Sequence, residues 1–181
     1  MAEKNNTQNY STRVSGLWST RHEISEDGTL LGTLTNRRNL FGMVVSGTYV
    51  PTKGETLEFR RDPGILRSQF SLWTADREWL GSALRWSFMG RFIDVSTGSK
   101  PLRLLPLPGF RRGWRLLAPK SGEMARLVGR AFSRGCEIHV HRRMEFEQVL
   151  FAYFLGSQLL PESIWPGPAT QDSNPEAAAS S

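Results

Sequence analysis

Apolar and polar residues alternate in short runs along most of this chain, and each run ends in a turn signal instead of continuing at helical period. The segment His22-Glu-Ile-Ser-Glu-Asp-Gly-Thr-Leu-Leu-Gly-Thr-Leu34 shows the plan most clearly. Its two apolar-bearing flanks meet at Asp27-Gly28, a dipeptide that accepts the positive φ angles of a tight hairpin. Phe70–Leu84 repeats the plan around a polar turn, and Trp114–Val128 does so again. A small residue recurs after each turn, at Gly32, Gly81 and Ala125, where a strand can pass close to underlying structure. Three such hairpins predict one antiparallel sheet. Further strands are predicted at Phe41–Val50, Glu55–Arg61, Arg85–Val95, Leu102–Leu107 and Cys136–His141. The run Leu104-Leu-Pro-Leu-Pro-Gly109 reads as an edge strand or a loop, because proline cannot donate to a ladder.

The period changes once, at about Met144 to Leu160, before Pro161. Glu145 and Glu147 stand in the first turns, where carboxylates suit the helix dipole. Every residue from Val149 to Leu155 is apolar or Tyr, so this helix is hydrophobic all round and must be enclosed by protein or lipid. Its length of about 20 Å falls short of a bilayer core of about 30 Å. It is therefore the core on which the strands close, and Leu150→Asp or Phe154→Asp should abolish folding.

A chain of 181 residues with 39% hydrophobic content fits one domain. Residues 1–13 and 161–181 read as disordered tails around a body at 14–160, the second tail being rich in Pro, Ser and Ala with scattered acids. The single cysteine, Cys136, excludes an internal disulfide framework, and the polar N-terminus lacks a secretory apolar run. No stretch reaches the roughly 18–20 apolar residues of a membrane span. These features predict a cytoplasmic protein, either free or peripheral to a membrane. The net charge is +6, and the acids Glu162, Asp172 and Glu176 fall in the last segment, which leaves the body more basic. Such a body attracts anionic partners.

Candidate chemistry is sparse. No nucleophile elbow, phosphate loop or dinucleotide fingerprint occurs, so no enzyme activity and no cofactor are predicted. His139 and His141 share a strand face without an evident third ligand, and Cys136 should point the other way, so no metal site is assigned. Trp86, Phe88 and Phe92 share alternating parity and read as one buried face. The arginine doublets are the most informative polar feature: Arg37-Arg38, Arg60-Arg61, Arg111-Arg112 with Arg115, and Arg142-Arg143. In a strand, one member of each doublet faces solvent while the other meets the interior or a partner. Arg111, Arg112 and Arg115 flank Trp114 after Phe110, a loop of guanidiniums and exposed aromatics suited to phosphates or an anionic membrane surface. Nucleic acid is not expected, since the usual stacking platforms and recognition motifs are absent.

The order of elements, from the hairpin Glu23-Ile-Ser-Glu-Asp-Gly-Thr-Leu-Leu-Gly32 through hairpins at 70–84 and 114–128 to the closing helix Phe146–Leu160, resembles the tubby C-terminal-like superfamily. That group includes tubby domains, phospholipid scramblases and plant LURP-one-related proteins. The resemblance covers residues 14–160 and implies a mostly β fold: a closed antiparallel barrel of about twelve strands around a central hydrophobic C-terminal helix. It further implies a non-enzymatic binding or scaffold domain that contacts anionic phospholipid, with Arg37, Arg38, Arg60, Arg61, Arg111, Arg112, Arg115, Arg142 and Arg143 as candidate contacts. This sequence lacks a tubby-type C-terminal signature and the Pro- and Cys-rich N-terminal region of scramblases. It carries the basic run Glu137-Ile-His-Val-His-Arg-Arg143 where scramblases have an acidic calcium-binding segment. The alternatives are a protein-interaction or structural domain without a small ligand, and an enzyme on an unrecognised β scaffold.

Overall fold

A computed structural model describes residues 7–15, 20–39, 44–62, 68–85, 92–98, 101–108, 112–129 and 135–159. The first strands are β1 (Gln8–Ser15), β2 (Thr20–Glu26), β3 (Thr29–Arg38) and β4 (Val44–Pro51). They are followed by β5 (Leu57–Asp62), β6 (Ser68–Thr74), β7 (Trp79–Arg85) and β8 (Ile93–Ser96). The last are β9 (Pro101–Pro106), β10 (Gly113–Ala118), β11 (Gly122–Gly129) and β12 (Cys136–Val140), before helix α1 (Phe146–Leu159). Each strand pairs antiparallel with its chain neighbours, and β1 pairs with both β2 and β12, which closes the barrel. Closure pairs each of the described strands on both sides, so none of them is an edge for another chain to extend.

The three hairpins form as the patterning predicts, as β2–β3, β6–β7 and β10–β11. Asp27 and Gly28 take φ of 48° and 81°, the paired left-handed conformation of a tight hairpin turn. The run Leu104-Leu105-Pro106 departs from expectation. It belongs to β9, an inner strand bonded to both β8 and β10. Pro101 and Pro106 occupy its two ends, where a missing donor interrupts the ladder least. The barrel also begins earlier than the expected boundary: β1 takes up residues 8–13 of the segment read as a tail. Residues 161–181 lie outside the described residues.

Helix α1 is enclosed. Val149, Leu150, Phe151, Ala152, Tyr153, Phe154 and Leu155, seven in a row and so covering every helix face, are all buried. Phe154 stacks on Phe59 with ring centroids 4.7 Å apart, and meets Phe70 edge-on at 6.3 Å. Two glycines admit this packing. A Cβ on Gly47 would lie 2.9 Å from the Phe154 ring, and one on Gly156 would lie 2.9 Å from Cδ1 of the Trp114 indole.

The topology gives the barrel two distinct mouths. β1 starts, β12 ends and α1 begins at one, here the entry mouth, where Phe146 packs on Tyr10 and Tyr49. The helix then runs back through the barrel towards the exit mouth. There lie the C-terminal ends of β1, β3, β5 and β7 and the start of β10, with Trp114 against Gly156.

Candidate functional site

Strand parity splits the doublets on β3 and β5 as expected, whereas Arg142 and Arg143, beyond the end of β12, are both exposed. On β5, Arg60 faces outward, donates to Glu58 Oε2 at 2.6 Å and lies 5.9 Å over the Trp73 ring. Arg61 turns towards the barrel lumen at the exit mouth, where its Nη2 donates to Ser68 Oγ at 3.0 Å and its guanidinium sits 5.9 Å from the Phe70 ring. On β3, Arg37 is exposed opposite Ser46, whereas Arg38 lies past a register shift, half-buried and opposite Val44. Arg112 is exposed just before β10, and its carbonyl accepts from Gly129 N at 2.8 Å. Arg115 is half-buried on the outer side of β10, opposite Arg126 and Leu105. Arg142 and Arg143 are exposed, but they come after β12 and so sit at the entry mouth. Arg111 lies outside the described residues.

The structure therefore brings Arg37, Arg38, Arg61 and Arg112 to one mouth and sends Arg142 and Arg143 to the other. Two arginines join the exit mouth that sequence reasoning passed over: exposed Arg21 at the start of β2 and buried Arg85 at the end of β7, opposite Ser68. Among the described residues, the acids near this mouth are Glu23, which lies 4.0 Å from Arg21, Asp62, Asp94, which accepts from Arg103, and Glu137. The entry mouth is mixed, with Glu26, Asp27, Glu55, Asp76 and Glu78 interspersed among Lys53, Arg77, Lys120, Arg142 and Arg143. The barrel is thus electrostatically polarised along its axis.

Two expectations about aromatics are corrected. Trp114, read as an exposed loop aromatic, is buried, because it is the first inward-facing position of β10 and fills the space above Gly156. Phe92, read as part of a buried face, lies on the outward parity beside Ile93, with the Arg103 guanidinium 4.7 Å above its ring. Trp86, Phe88 and Phe110 lie outside the described residues.

His139 and His141 share the outer face of the barrel, and Cys136 points inward, as alternation requires. His139 Nδ1 bonds Asn9 Oδ1 at 2.9 Å, and His141 Nε2 lies 3.3 Å from Glu123. A hydrogen bond from Arg126 holds the Glu123 carboxyl below its ordinary range, with nearby cationic groups reinforcing it against burial. Among the described residues, no group of three or more His, Cys, Asp or Glu is placed to hold a metal ion.

The buried polar cluster inside the barrel was missed from sequence. His22 Nδ1 lies 2.6 Å from the Tyr153 hydroxyl of α1, and its Nε2 is 3.0 Å from Thr20 Oγ1 and 3.2 Å from Asn36 Nδ2. An amide nitrogen can only donate, so Nε2 accepts and Nδ1–H donates to Tyr153. On the neighbouring wall, Thr12 Oγ1 accepts from Cys136 N at 2.8 Å. Burial drives the Tyr153 hydroxyl far above its ordinary pKa, so it stays a neutral hydroxyl. The cluster ties α1 to β2 and β3, while the Thr12–Cys136 bond ties β1 to β12. The available signal was parity: Thr20 and His22 alternate in phase with Ile24, and Asn36 with Leu34.

No family profile and no curated protein matches this chain. One solved structure does, an X-ray structure of a protein from Arabidopsis thaliana. It is 14% identical, with a TM-score of 0.55, over 89% of this chain and 93% of that one. Similarity at that identity concerns the fold alone.

Proposed function

We propose that this protein is a non-enzymatic binding domain that docks its exit mouth on anionic phospholipid. The observation that carries this reading is the gathering of Arg21, Arg37, Arg38, Arg61, Arg85 and Arg112 at one mouth, six guanidiniums against Glu23, Asp62, Asp94 and Glu137 as the described acids beside them. Basic side chains near an anionic surface contribute about 1 kcal/mol each, and several together exceed what a single contact supplies. The segments that join strands at this mouth lie partly outside the described residues. In sequence they carry Trp18, Phe41, Trp86, Phe88 and Phe110, the residue types that favour a membrane interface. The resemblance of the element order to tubby-like and scramblase-like proteins points the same way. No described helix is long and apolar enough to cross a membrane, so the contact proposed is peripheral. The cytoplasmic leaflet is the anionic one, which agrees with a chain that holds a single, buried cysteine.

Co-sedimentation with vesicles tests this. Binding should rise from phosphatidylcholine to phosphatidylserine or phosphoinositide vesicles and fall steeply as salt is raised towards about 0.5 M. Each of Arg21→Glu, Arg37→Glu and Arg112→Glu should weaken it on the order of fivefold or more, while Arg142→Glu with Arg143→Glu should leave it nearly unchanged. Indifference to lipid charge, or equal losses at the two mouths, would sink the reading.

A further inference from the structure

Helix α1 fixes where the chain leaves the barrel. Phe146 lies against Tyr10 and Tyr49 at the entry mouth, whereas Gly156 lies beneath Trp114 beside the exit mouth. The chain after Leu159 therefore continues from the exit-mouth end of the barrel, the end that bears those arginines. In sequence, residues 161–181 carry Glu162, Asp172 and Glu176 with no Lys or Arg, and Pro161, Pro166, Pro168 and Pro175 discourage continuation of the helix. The 13 residues from Leu159 to Asp172 can span at most about 45 Å, and about 20 Å root-mean-square if they carry no regular structure. The segment's carboxylates can thus meet any arginine of that mouth. Tethering holds them there at an effective concentration on the order of millimolar, so weak, exposed ion pairs become populated without a large affinity.

We propose that the acidic segment 161–181 of this chain docks on the arginine-bearing exit mouth and competes there with anionic partners. The contact stands on charge and topology alone. The competition rests on the lipid reading given above. The entry mouth, with its interspersed acids, offers the segment no comparable attraction.

The test uses the full chain and the variant Glu162→Gln/Asp172→Asn/Glu176→Gln. Backbone amide resonances of Arg21, Arg37 and Arg112 should differ between the two proteins at about 50 mM salt. They should coincide at about 0.5 M, where screening is nearly complete, and those of Arg142 and Arg143 should not differ at either. Identical spectra at low salt overturn the contact, whatever the lipid experiments give. Differences that grow with protein concentration assign the mouth to the segment of a second copy and overturn the intramolecular contact. On phosphatidylserine vesicles the variant should bind about three- to tenfold more tightly, the release expected of three exposed pairs. Equal vesicle affinity alongside clear low-salt shifts overturns the competition. No vesicle binding by either protein overturns the lipid reading and the competition with it, while the shifts still decide the contact.

Discussion

Phe154→Ala measures how completely the barrel encloses its helix. The side chain is fully buried, stacked on Phe59 at 4.7 Å and edge-on to Phe70 at 6.3 Å, with its ring seated over Gly47. Truncating a buried Phe costs about 3–5 kcal/mol, the sum of lost transfer energy and a residual cavity. The upper part of that range applies here. The wall strands are hydrogen-bonded on both sides and cannot collapse inward, and two aromatic pairs are lost as well. Against a domain stability of about 5–15 kcal/mol, a loss of about 4–5 kcal/mol lowers the melting temperature on the order of 10–20 °C. Urea titration followed by tryptophan fluorescence and far-ultraviolet circular dichroism reads the loss, at an unchanged m-value. Phe146→Ala is the internal control, because that ring is half-buried at the open entry mouth and should cost clearly less. A cost below about 1.5 kcal/mol at Phe154, or equal costs at the two positions, would refute the enclosed-helix argument.

Tyr153→Phe removes the partner of a buried imidazole and should cost about 1–3 kcal/mol, and His22→Leu in that background should recover part of it. No recovery would mean that the two side chains do not act through one another. Gly156→Val forces a branched side chain into the 2.9 Å approach of the Trp114 indole, with an expected loss of about 1–3 kcal/mol and a shift in tryptophan emission. An unperturbed emission spectrum with full stability would show that the indole sits elsewhere. Glu123 has a folded pKa below its unfolded value of 4.5, so its contribution is present above about pH 4.5 and is lost as pH falls below it. The melting-temperature gap between wild type and Glu123→Gln should therefore narrow below about pH 4.5. A gap that stays constant from about pH 7 to about pH 3 would remove Arg126 from that role.

Much of the architecture was already legible in the chain. Asp27-Gly28 requires a tight turn between two apolar flanks, and the unbroken apolar run Val149–Leu155 on so short a helix requires enclosure. Both come from local steric and burial rules that need no knowledge of distant residues. Alternation likewise separated Arg60 from Arg61 and turned Cys136 away from His139 and His141. What closes the barrel is non-local: β1 meets β12 across more than a hundred residues of chain, and only that pairing makes β9 an inner strand despite Pro101 and Pro106. The gathering of Arg21, Arg37, Arg61 and Arg112 at one mouth, the burial of Trp114 and the joining of His22 to Tyr153 belong to the same class. Hairpin topology decides at which mouth each strand end falls, and the direction of α1 decides what it meets inside. Neither is written in any local window of sequence, because both are set by the order in which twelve strands close around one helix.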